Sequence, residues 1–175
     1  MPSEDRQPGA DALTQAQRHR LDQHWGDQDR TLLAMQRLEA ALAAAAPGRE
    51  RAWRDEVRQA LSVLGETARE EAENAARPDS LLCDIARTQP WLRTRVRGLR
   101  IRHDQLRDSI ASLYDELTAA AGPAVDFADI RQRLSWVLAG LRDQRGRESD
   151  LIYEAYYDAF GSDLPRDASG QLPGR

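Results

Sequence analysis

The chain has 175 residues, 41% hydrophobic and 31% charged, with a formal net charge of -4 and a pI near 5.4. That length suits one domain with a real core, and no apolar run approaches the ~18 residues needed to span a bilayer. Cys83 is the only cysteine, which excludes an intramolecular disulfide and a multi-cysteine zinc site. The opening MPSEDRQPGAD has no apolar stretch of signal-peptide type, so the expected compartment is the cytoplasm.

Helix formers dominate and β-branched residues are sparse, so the chain reads as helix throughout. Residues 1–12 and the tail 161–175 have the composition of disordered ends, leaving 13–160 as a single domain. A short helical stretch is expected near 12–24. The first long helix follows at 27–46, with the stripe Gln28, Thr31, Met35, Leu38, Leu42, Ala45. Pro47-Gly48 ends it. The second helix, 49–76, carries Trp53, Val57, Ala60, Leu64, Thr67, Glu71. SLLCDIAR (80–87) reads as a short bridging helix. The third long helix, 90–121, carries Leu92, Val96, Leu99, His103, Leu106, Ile110, Leu113, Leu117. Gly122-Pro123 breaks the chain again. Asp126 is the expected N-cap of the fourth, 126–160, with Ile130, Leu134, Val137, Leu141, Gln144, Glu148, Leu151, Ala155 on one face and Gly161 just past its end. Steps of three and four put each set on one helix face. The predicted fold is all-α, an up-down-up-down four-helix bundle.

The stripes turn polar at one level. Gln28, Thr67, His103 and Gln144 each lie about 20 residues from the turn at 47–48 or 122–123. At ~1.5 Å rise per residue, all four fall roughly 30 Å from the same bundle end. Glu71 and Glu148 lie one turn further along and face the same way. Six polar positions are thus expected to converge inside an apolar bundle. Buried carboxylates need cations, protons or a metal, so this layer is the candidate site.

The same positions resemble the ligand pattern of the hemerythrin-like cation-binding domains, four-helix bundles that hold a di-iron centre for oxygen binding or sensing. That family places a His on the first helix, His-xxx-Glu on the second, His-xxx-His on the third, and a His followed by a carboxylate on the fourth. Here Gln28 aligns with the first His. The second helix reads TAREE, with Thr67 in place of His and Glu71 as the Glu. The third reads HDQLR, with His103 matching and Arg107 replacing the second His. The fourth reads DQRGRESD, with Gln144 at the His position and Glu148 or Asp150 as carboxylate. The resemblance covers most of residues 20–160 and implies a degenerate member. Most of its histidines are replaced by weak neutral ligands and one fixed positive charge. Two readings follow from it. In the first, the chain has lost di-iron and oxygen binding, holds no cofactor, and serves as a structural or protein-interaction module. Its carboxylates then pair with arginines such as Arg100 or Arg107, and His103 bonds to a Glu or Gln. In the second, Glu71, His103 and Glu148 hold one divalent, iron-type metal. A pocket left for a small polar or organic ligand is a further reading.

Other features speak for fewer functions. No Gly-rich phosphate loop, GxSxG elbow or Glu-xx-His motif occurs, and no activated nucleophile is visible, so the chain does not read as an enzyme. His19 and His24 are five residues apart and do not share a helix face. His24 reaches the open end of the bundle if the first helix begins earlier. Cys83 in LLCDI reads as a small buried hydrophobe. Arg93, Arg95, Arg97, Arg100, Arg102 and Arg107 spread around the third helix of an acidic chain. They read as a paired surface facing the glutamates of the second helix, not as a nucleic-acid face. Tyr153, Tyr156, Tyr157 and Phe160 share one face of the last turns. They either pack over the bundle end with Leu81 and Leu82 or form a docking patch for an unknown protein partner.

Overall fold

The structure, a computed structural model, describes residues 13–44, 47–119 and 126–157. The described residues are almost entirely helical: α1 (Gln15–Ala43), α2 (Glu50–Ala76), α3 (Leu81–Thr88), a 3-10 turn at Pro90–Leu92, α4 (Arg93–Ala119) and α5 (Phe127–Ala155). The four long helices pack as a bundle, α1 on α2, α2 on α4, α4 on α5 and α5 back on α1. None of the described helices is long and apolar enough to cross a membrane.

The helix ends follow local chemistry. Thr14 starts α1 with a reciprocal cap: its Oγ1 accepts from the Gln17 amide while Gln17 Oε1 accepts from the Thr14 amide. The short stretch expected near 12–24 is therefore not a separate element but the start of α1. Gly26 costs only about 1 kcal/mol in a helix interior, too little to break one anchored on both sides by buried Leu21, His24, Asp27 and Gln28. Gly48, at φ 75°, makes the left-handed turn that lets the chain re-enter as α2. Ser80 caps the bridging helix α3 through the Cys83 amide, and Asp126 caps α5 through the amides of Ala128 and Asp129. α5 runs to Ala155 with a turn at Tyr156, and residues 158–160 of the expected span lie outside the described residues. Residues 1–12 and 161–175, Ala45, Phe160 and the turn at 122–123 lie outside the described residues.

The interior divides in two. One apolar cluster joins Met35, Leu38 and Leu42 of α1 with Trp53 to Ala68 of α2, Ile110 to Leu117 of α4 and Ile130 to Leu141 of α5. The other joins Leu21 of α1, Leu81, Leu82 and Ile85 of α3, Val96 and Leu99 of α4, and Leu151, Ile152 and Tyr156 of α5. Each cluster takes the late half of α1 and α4 with the early half of α2 and α5, or the reverse, which is the up-down-up-down arrangement. Between the clusters, His24, Asp27, Gln28, Thr31, Glu71, His103, Gln144 and Glu148 are all buried.

Candidate functional site: a buried polar layer

Each long helix contributes to the layer from one face. α1 gives His24, Asp27, Gln28 and Thr31, the i, i+3, i+4, i+7 spacing of a single stripe. α2 gives Glu71, α4 gives His103, and α5 gives Gln144 and Glu148. Thr67, expected here, is half-buried and donates to Leu64 O of its own helix. The α2 face is turned by one residue, so Ala68 is the buried neighbour and Thr31 supplies the hydroxyl instead.

The layer is closed largely by neutral donors. Gln28 Nε2 donates to Glu148 Oε2 at 2.9 Å and lies 3.1 Å from His24 Nε2. Its two hydrogens serve both when the His24 proton sits on Nδ1. Thr31 Oγ1 donates to Glu71 Oε2 at 2.5 Å. Asn74 Nδ2 donates to Asp27 Oδ2 at 3.0 Å, and Arg30 bonds the other oxygen. Arg145 bonds the Gln28 carbonyl. The expected pairing of the layer carboxylates with arginines is not what forms. Arg107 bonds Asp104 at 3.1 Å, and Arg100 bonds Ala75 O and Cys83 Sγ. Neither guanidinium bonds the two glutamates, each of which accepts through Oε2 from Gln28 or Thr31. His103 makes no hydrogen bond to a Glu or Gln among the described residues; its ring borders a cavity. Cys83 is half-buried, not buried.

Burial sets the protonation states. Glu148 is pushed up to about 7, first by burial and then by the nearby Glu71 charge, with the Gln28 bond and Arg145 pulling down. Burial brings His24 down to about 4, against the pull of Asp27. The 3.9 Å approach of His24 Nε2 to Glu148 Oε2 is thus a contact between a neutral ring and a half-protonated acid near neutral pH, not an ion pair. Burial also lowers His103, with Glu71 acting the other way.

The Glu71 charge therefore acts on both His103 and Glu148. Yet no three His, Cys, Asp or Glu side chains among the described residues form a group that could hold a metal ion. A di-iron centre needs several imidazole ligands, and the layer offers only His24 and His103, with Oε2 of each glutamate accepting from Gln28 or Thr31. As placed, the donor set does not fit that centre. Beside the layer, a cavity of about 200 Å³ opens between α2, α4 and α5, with His103, Gln144, Glu148, Arg100, Arg107 and Leu99 in its wall. Gln144 Nε2 donates to Leu99 O at 3.0 Å, but among the described residues its buried Oε1 has no partner, and neither has the buried Nε of Arg100. Unmet buried groups of this kind cost ~1–3 kcal/mol each.

No protein-family model, curated protein or solved structure matches the chain.

The remaining sequence candidates separate. Tyr156 is buried with Leu81 and Leu82, and its hydroxyl donates to Asp84 Oδ2 at 3.3 Å. It is part of the packed bundle end. Tyr153 and Tyr157 are exposed and stack edge-to-face at 5.3 Å, so the aromatic patch reduces to these two within the described residues. Three of the six α4 arginines meet a carboxylate among the described residues, Arg95 with Glu154 and Arg102 with Asp143 on α5 and Arg107 with Asp104 on α4 itself, and none meets the α2 glutamates expected to face them. Sequence reasoning missed Asp27 and Asp84. Asp84 is a buried carboxylate on α3 that meets Arg20, Arg87 and Tyr156 and so ties three helices together. An acidic residue inside the apolar run LLCDI was its only signal.

Proposed function

We propose that the chain is a hemerythrin-like bundle that has lost di-iron and oxygen binding and serves in the cytoplasm as a structural or protein-interaction module. The observation that carries this reading is the Gln28 side chain, which bridges Glu148 and His24 and which the resemblance aligns with the family's first-helix histidine. An amide there satisfies with a hydrogen bond what the family satisfies with a metal. Thr31 does the same for Glu71. Exposed Tyr153 and Tyr157 offer a contact point for a protein partner. The paired arginines and the net charge of -4 argue against nucleic acid.

Metal analysis of protein purified anaerobically with iron supplied tests the proposal. The expected result is no stoichiometric metal and a thermal melt unchanged by chelator. About one tightly held equivalent, lost on His103→Ala, would establish instead a mononuclear site built on Glu71, His103 and Glu148. Two irons with an oxygen-dependent visible band would overturn the alignment itself.

A further inference from the structure

A surface groove of about 320 Å³ runs between residues 61–69 of α2 and residues 107–115 of α4. At ~1.5 Å rise per residue, each side is about 12 Å long, a little over two helical turns. The floor is apolar: buried Leu61 and Ile110, half-buried Gly65 and Tyr114, and exposed Ala111. The rim is acidic, with Glu66 on α2 and Asp108 and Asp115 on α4, all exposed. Two cations line the groove, and both are engaged with other carboxylates. Arg69 bonds Glu73 and lies in the field of Glu66 and Glu70 as well, while Arg107 bonds Asp104. Glu66, Asp108 and Asp115 thus have no ion pair of their own among the described residues. The spacing adds a length scale. Asp108 and Asp115 are seven residues apart, so they stand on one face of α4 about 10 Å from each other. A second helix laid along the groove presents its i and i+7 residues at that same separation, with i+3 and i+4 between them.

We propose that this groove docks a basic amphipathic helix of a partner protein, with apolar residues at i+3 and i+4 on the floor and cations at i and i+7 on Asp108 and Asp115. Glu66, on the opposite rim, receives a third cation. Such a helix uses both features of the groove, whereas a small polycation uses only the rim. The apolar anchors supply most of the affinity, and the exposed carboxylates select the partner and its direction. The inference rests on the protein-interaction reading and gives it a partner class. Its test reads peptide binding and not metal content, so either can fail without the other.

The test is fluorescence anisotropy of a labelled peptide titrated with the full chain at low salt. The probe is an alanine-based helix of about twenty residues, carrying two lysines at i and i+7 around two leucines. Its controls replace the lysines with glutamate or the leucines with alanine, and spermine serves as a competitor. The lysine–leucine peptide is expected to bind with a Kd below about 100 μM, and more weakly in high salt. Both altered peptides should bind about tenfold more weakly or worse, and spermine should displace the probe only in large excess. Asp108→Asn combined with Asp115→Asn, both at exposed positions, should weaken binding about fivefold or more. Gly65→Leu should abolish it by filling the floor, since a Cβ there meets only Ile110 Cγ2, at 3.4 Å. The proposal is overturned if the lysine–leucine peptide does not bind, or if either altered peptide binds as tightly. It is equally overturned if spermine displaces the probe as readily as unlabelled peptide does, or if the folded variants bind like the parent chain.

Discussion

Replacing Glu148 with glutamine should stabilise the protein, and more so as pH rises. The carboxyl is 3% exposed, and burial beside Glu71 raises it from its ordinary 4.5 to about 7. The folded state therefore binds this proton more tightly than the unfolded chain. Between pH 4.5 and 7 it holds more protons, so stability falls as pH rises through that window. At ~1.36 kcal/mol per pH unit, the loss is about 3 kcal/mol once Glu148 is fully ionised. His24 works in the opposite sense. Burial lowers it from 6.5 to about 4, so its contribution is lost as pH falls through that range. The two slopes nearly cancel where they overlap, and the parent chain alone would hide both. The difference between Glu148→Gln and the parent isolates one. The new amide still accepts from Gln28 Nε2, so the variant should match the parent near pH 5 and exceed it by about 1–3 kcal/mol near pH 8. Urea unfolding followed by circular dichroism reads this directly, and a melt should show ~2–4 °C per kcal/mol for a chain of this size. A variant equally destabilised at both pH values would refute the reasoning, because the parent carboxyl would then carry no burial penalty.

Thr31→Val keeps the shape but strands Glu71 Oε2, and urea unfolding should show a loss of about 1–3 kcal/mol. Leu134→Ala, at a fully buried position in the larger apolar cluster, should cost about 2–5 kcal/mol in the same assay. Asp126→Ala removes the acceptor for two amides at the start of α5 and should cost about 1 kcal/mol, seen as a lower melting temperature with an unchanged helical spectrum.

Much of the bundle was legible before any coordinates. On α5 every residue of the expected stripe, from Ile130 to Ala155, is buried, and on α4 only Leu106 is not fully so. Periodicity succeeds there because a regular helix repeats its face without interruption. On α2 the choice between steps of three and four was open. The face runs through Leu61 and Ala68 instead of Ala60 and Thr67. On α1, the expected stripe began at Gln28 and the stretch near 12–24 was set apart from it, which left His24 and Asp27 out of the layer; the helix runs unbroken from Gln15. Glu71, His103, Gln144, Gln28 and Glu148 were found as a set because depth follows from residue counting. Who bonds to whom was not, since partner choice depends on rotamers and on which neutral donor stands nearer than an arginine.

The layer between the two apolar clusters has a consequence for how the helices can slide. Four plain leucine stripes would pack almost as well after one helix slipped by a turn, about 5.4 Å. Here such a slip of α2 would carry Glu71 away from Thr31 and into leucine, stranding donor and acceptor together. A slip of α5 would do the same to Glu148 and Gln28. Each stranded group costs ~1–3 kcal/mol, so either shift forfeits a large share of the ~5–15 kcal/mol that holds a typical domain folded. The polar layer makes the bundle less stable than an all-apolar one would be, and in exchange leaves it a single way to line up.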